Sequence, residues 1–141
     1  MTSLSSIHDL MRSQAVHIAL LAVLAGGVYA QTLHGEFIWD DAGLIIKNIE
    51  HVESAGDLSA FFTRTPFESA PYYRPVLWVS FFIDYLLWGR NPLGFHITNI
   101  LFHVFDTLLV YGLLTVLSVP RALCCATAVL FAVHPINTEA I

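Results

Sequence analysis

FHITNILFHVFDTLLVYGLLTVLSV, residues Phe95 to Val119, is an apolar run broken only by widely spaced polar side chains. At about 1.5 Å per residue a helix of this length covers the roughly 30 Å hydrocarbon core of a bilayer. The run stops at Ser118-Val119-Pro120-Arg121, where proline ends the helix in a tight turn. Its polar residues are not scattered. His96, Asn99, His103 and Asp106 recur at helical spacing, so at about 100° per residue they form one stripe roughly 80° wide, with Thr107 beside it. Ionisable groups in a bilayer cost several kcal/mol unless they face protein or water, so the stripe predicts an inward face. Two uses compete for it: hydrogen-bonded glue between helices, or the lining of a functional cavity.

The rest of the chain fits a membrane setting. Of the 141 residues 56% are hydrophobic and only 12% charged, where soluble domains carry about a quarter charged residues. Mean hydropathy is +0.67. A net charge of -5, with no run of basic residues, argues against a nucleic-acid partner. A first span is expected over 15–33. The rival reading there is a cleaved signal peptide, since Val28-Tyr29-Ala30 before Gln31 offers a peptidase-like small-residue pattern. Residues 34–94 hold most of the acids and four prolines and read as a long loop. Inside it, 76–88 (VLWVSFFIDYLLW) is too short to cross as a helix, and Trp78, Trp88, Arg74 and Arg90 suit a helix lying at the interface. A true span there would invert everything downstream. A further span is expected from Ala122 to about residue 136. Cys124 and Cys125 are adjacent in an apolar stretch and read as packing residues.

The expected fold is therefore an all-α membrane protein with about three transmembrane helices and an interfacial helix in a long outer first loop. A basic residue on each short inner segment, Arg12 and Arg121, orients it with the 34–94 loop outside. Three spans with no polar tail after Ile141 look like an excerpt of a longer protein.

Several residues are equipped for chemistry. Asp40 and Asp41 follow Phe37-Ile38-Trp39 at the membrane exit. Adjacent carboxylates near an apolar boundary have their proton affinities driven apart, which suits general-base work or metal binding. The plainer alternative is an N-cap for a helix starting at Ala42. Tyr73-Arg74 offers a guanidinium fork for a phosphate, or an ordinary snorkelling arginine. His134-Pro135 with Glu139 closes the last span, either turned into the outer cavity or a simple helix end. No metal-ligand spacing, Gly-rich phosphate loop or nucleophile elbow occurs.

Taken in order, these residues resemble a known family. They are Gly35-Glu36-Phe37-Ile38-Trp39-Asp40-Asp41, Ile46 and Asn48, Tyr73-Arg74-Pro75, Trp88-Gly89 with Asn91-Pro92, Phe95-His96 with Asn99 and His103, and Phe131-Ala132-Val133-His134-Pro135 with Thr138-Glu139-Ala140. The series is similar to the start of the transmembrane and tetratricopeptide-repeat O-mannosyltransferases and their bacterial relatives, in the GT-C class. The resemblance implies a partial GT-C fold whose C-terminal repeat domain is absent from this chain. It implies a lipid-linked sugar phosphate as donor, here polyprenyl or dolichyl phosphate, and transfer with inversion to a protein hydroxyl on the outer face. Asp40 falls where relatives carry the proton acceptor, with Asp41 assisting. Trp39, Tyr73, Arg74, His96, Asn99, His134 and Glu139 are the expected substrate-binding set, and His103 and Asp106 the helix-packing or cavity residues. No cofactor is firmly implied, and a divalent metal is left open. The expected location is a multi-pass position in a bacterial cytoplasmic membrane, or the endoplasmic reticulum membrane in a eukaryote. The isolated 141 residues are expected to be inactive. The competing reading is a noncatalytic membrane subunit or transporter element with a polar intramembrane stripe.

Overall fold

The computed structural model describes residues 4–38, 45, 62 and 73–139. Among these, all regular structure is helical: α1 (Leu4–Val28), α2 (Pro75–Trp88), α3 (Pro92–Val116) and α4 (Arg121–Val133), with 3-10 turns at Ala30–His34 and Pro135–Glu139. α3 alone among the described helices is long and apolar enough to cross a membrane; α2, α4 and the apolar part of α1, Gln14–Val28, are shorter. The chain divides into two compact units, Met1–Leu33 with Asn99–Ile141, and His34–Thr98.

In the first unit the buried positions fall on every fourth residue of each helix. They are Leu21, Ala25 and Tyr29 along α1 and just past it, His103, Thr107 and Tyr111 on α3, and Cys124, Ala128 and Ala132 on α4. Rows of this spacing are the ridges by which helices interlock. Leu21, Tyr111, Cys124 and Ala128 form one apolar cluster. Small residues let the backbones approach, as in helix packing within membranes, and the large apolar side chains (Val23, Leu101, Phe102, Phe105, Leu109, Leu113) are exposed on the outside. Leu21 meets Tyr111 and Cys124, Gly26 lies beside Val104 and Ile100, and Tyr29 meets His103. As α1 advances α3 recedes, so these two are antiparallel. Tyr29 also bonds His134, so α4 runs parallel to α1.

Helix ends follow local chemistry. The apolar run expected to continue as one span to Leu33 leaves α-helical geometry at Val28, after the weak helix formers Gly26-Gly27. Thr32 then bonds back to the Tyr29 carbonyl through both its amide (3.0 Å) and its hydroxyl (2.8 Å). α3 closes in a Schellman arrangement: Ser118 donates to Thr115 O (3.0 Å) and Val119 to Leu114 O (3.1 Å), with Ser118 itself left-handed at φ 59°. α4 ends at His134 rather than near residue 136. Pro135 has no N–H to continue the helix, and the residue before it is held extended, here at φ -69°, ψ 127°.

The second unit is built around the corner between α2 and α3. Gly89 ends α2 at φ 63°, ψ -131°, donating to Tyr85 O. The Asn91 side chain then accepts the Leu93 N–H at 3.2 Å, capping a helix whose first residue is Pro92, where a missing N–H costs nothing. Gly94 is buried against the Trp88 side chain. Phe95 inserts into a cluster with Ile45, Phe37, Phe81 and Tyr85. Much of the Trp88-Gly89…Asn91-Pro92…Phe95 motif is thus explained by turning the chain.

Candidate functional site

The most elaborated polar arrangement in the first unit surrounds the C-terminus of α4. A helix leaves its last four carbonyls without intrahelical partners. Here side chains from three places supply donors. His103 Nε2, on α3, lies 3.0 Å from Ala132 O; a carbonyl only accepts, so the imidazole proton sits on Nε2. Asn137 Nδ2 donates to Phe131 O at 2.7 Å. Tyr29 Oη donates to His134 O at 2.9 Å, which also accepts the Asn137 amide at 3.1 Å. The rings pack as they bond: Tyr29 meets His103 edge-on with centroids 4.9 Å apart, and His103 stacks on Phe131 at 5.6 Å.

His134 is exposed, and its Nδ1 accepts the Ile136 N–H at 3.2 Å. That bond fixes the neutral ring as the Nε2–H tautomer. The ring therefore offers one outward donor, on a backbone held by Tyr29 and Asn137.

The polar stripe expected on α3 is redrawn. His103 is buried, His96 and Asn99 are half-buried, and Asp106 is exposed on the face carrying Phe102, Phe105 and Leu109. The buried row passes through Thr107 instead, because α3 packs on residues four apart and 106 falls off that row. Asp106 thus takes no part in the packing of the described helices, whereas His103 bonds and stacks against α4.

In the second unit, Tyr73 Oη donates to Phe62 O at 2.8 Å, in an exposed setting. Arg74 precedes α2 and is exposed. Asp84, only 4% exposed, accepts a 2.6 Å bond from Thr98 Oγ1. Burial pushes its carboxyl above the ordinary aspartate range, and the Thr98 bond offsets part of that rise. Trp39, Asp40 and Asp41 lie outside the described residues, as does the side chain of Glu139. No group of three or more His, Cys, Asp or Glu placed to hold a metal occurs among the described residues.

Tyr29 and Asn137 are central to the α4 terminus, yet neither stands out in the sequence. For Tyr29 the signal was its place four residues after Ala25 and eight after Leu21 on the buried row.

Comparison with known proteins adds an independent observation. Over 131 residues the chain is 37% identical to the Homo sapiens protein O-mannosyl-transferase TMTC1, covering 87% of this chain and 15% of that protein. It is 35% identical over 132 residues to Tmtc1 of Drosophila melanogaster, covering 88% and 15%. With the Caenorhabditis elegans protein O-mannosyl-transferase F38B6.6 it shares 32% identity over 141 residues, 92% of this chain and 20% of that protein. The chain thus spans a fifth or less of the length of these relatives. No family model matches it, and no solved structure does.

Proposed function

Starting from the chain's homology to protein O-mannosyl-transferases over most of its own length, we propose that it is a piece of a membrane glycosyltransferase. In the full-length parent, a sugar passes from a polyprenyl or dolichyl phosphate to a protein hydroxyl on the outer face. The acceptor oxygen attacks the anomeric carbon with inversion, the bond from that carbon to the lipid phosphate breaks, and Asp40 takes the hydroxyl proton. Asp41 orients the acceptor, and Arg74 meets the lipid phosphate.

The homology carries this reading, and the first unit supports its membrane placement. Apolar side chains face outward while small and hydrogen-bonded residues face inward. α1, which leads toward Asp40 and Asp41, ends beside the terminus of α4. The exposed Asp106 carboxylate needs a protein or water partner at membrane depth, which further membrane segments of the parent would supply.

The test is Asp40→Asn in the full-length parent, assayed for sugar transfer from lipid-linked donor to acceptor protein. Loss of a general base lowers the rate by about a hundredfold or more. Transfer at the normal rate refutes the assignment.

A further inference from the structure

Asp106 sits in the wrong solvent for a carboxylate. α3 runs from Pro92 to Val116, so at about 1.5 Å per residue Asp106 lies roughly 15 Å from the nearer helix end. In a hydrocarbon core about 30 Å thick that is close to the midplane. The side chain is exposed, and among the described residues no hydrogen bond or ion pair reaches it. α1 and α4 do not cover it, because the buried row of α3 runs through His103, Thr107 and Tyr111. Aspartate also lacks the long stem by which lysine and arginine snorkel to a membrane surface.

The face around Asp106 has a regular spacing. Asn99, Phe102, Asp106, Leu109, Leu113 and Val116 follow one another at alternating steps of three and four residues; Asn99 is half-buried and the others are exposed. That alternation is the seam along which one helix stays in contact with another over several turns. Water suits the row poorly, since the exposed rings of Phe102 and Phe105 stand between its two polar groups. A second copy of this chain suits it poorly as well. Copies inserted in one membrane share an orientation, so a symmetric pair through this row would set Asp106 against its counterpart at the same depth, with two like charges out of water. A helix of different sequence carrying a cation at that depth removes the cost, because opposite charges pair strongly where the dielectric is low.

We propose that the Asn99-to-Val116 row of α3 seats a further membrane helix of the parent protein, one that presents a lysine or arginine to Asp106. The proposal rests on the reading of the chain as a piece of a longer membrane protein. Asp106 acts here in assembly and takes no part in sugar transfer.

The contact is read by photo-crosslinking in the full-length parent, in membranes, with p-benzoylphenylalanine in place of Leu109, about one turn from Asp106 on the same row. Isotopically heavy and light copies mixed in one membrane separate adducts within a molecule from adducts between copies. The expected adduct lies within one molecule, on a membrane segment beyond residue 141, with a lysine or arginine within one turn of the labelled position. Asp106→Leu should lower its yield about tenfold. This change makes α3 more apolar, so poor insertion does not account for the loss. Asp106→Glu keeps the carboxylate and should restore most of the yield. Adducts with lipid alone, or between copies, overturn the docking face. An adducted helix without a nearby cation, or a yield that Asp106→Leu leaves unchanged, overturns the ion pair. Crosslinking needs no sugar transfer, so lipid-only adducts in a parent that glycosylates normally sink this proposal alone. Normal transfer by Asp40→Asn sinks the catalytic assignment and leaves the adduct standing.

Discussion

Adding one methyl group to Gly94 tests the corner between α2 and α3. A Cβ at this position would overlap the Cβ and indole Cγ of Trp88. Trp88 has little freedom to yield, because the next residue, Gly89, is held at φ 63°, ψ -131° with its N–H on Tyr85 O. A shift of Trp88 therefore drags Gly89 out of a conformation that only glycine adopts readily. In a helix, Gly→Ala alone gains about 0.5–1 kcal/mol, while overpacking a tight site costs about 1–3 kcal/mol or more. The clash wins, and Gly94→Ala is expected to destabilise by about 1–2 kcal/mol net. Gly112 supplies the matched control on the same helix: a Cβ there meets nothing within 4 Å, so Gly112→Ala should hold stability level or raise it by about 0.5–1 kcal/mol. The assay is reversible unfolding in mixed micelles, followed by tryptophan fluorescence. If Gly94→Ala proves as stable as Gly112→Ala, Trp88 does not pack on Gly94 and the account of the corner fails.

Two smaller predictions follow from single residues. Asp84 has a folded-state pKa above its unfolded value, so the stability it contributes is fully present below the unfolded pKa, about 4, and is lost as pH rises through the raised folded value. Asp84→Asn, which keeps an acceptor for Thr98, should flatten that part of the pH profile; a wild-type stability that rises over this window through Asp84 would contradict the burial argument. Ser118 sits at φ 59° in the cap of α3, where a side chain is strained. Ser118→Gly should therefore raise the unfolding midpoint, by about 0.5–1 kcal/mol in free energy, and a lower midpoint would show that the hydroxyl does more than tolerate the turn.

The helical class was legible from apolar runs, and Pro92, Pro120 and Pro135 each lie at a boundary of a helix, whereas the extension of α1 back to Leu4 was not. What the residues alone did not reveal was which face of α3 turns inward. His96, Asn99, His103 and Asp106 make a tidy stripe on an isolated cylinder, but a packed helix obeys its neighbours' ridges. The inward row runs through His103, Thr107 and Tyr111 and leaves Asp106 outside. The capping of α4 was hidden for a related reason. Its donors Tyr29 and His103 are distant in sequence, and their pairing depends on tertiary contact, while Asn137 reaches back from the turn just after the helix. The Asp40-Asp41 pair stands out in the sequence but lies outside the described residues, so its role rests on resemblance and on the proposed assay.

The two histidine–tyrosine contacts between α1 and α3 are reciprocal. On one, α1 gives histidine and α3 tyrosine, His17 with Tyr111 at 3.2 Å; on the other α3 gives histidine and the tyrosine lies just past α1, Tyr29 packing edge-on against His103 with ring centroids 4.9 Å apart. Between them lie mostly apolar and small residues, which would accept almost any sliding position in a lipid-like surrounding. The two contacts act like a pair of dowels. Displacing one helix by a single turn, about 5.4 Å, unseats both at once and sets aromatic and imidazole groups against alanine and leucine. The antiparallel pair is therefore keyed to one register, and that register determines where the segment leaving α1 begins.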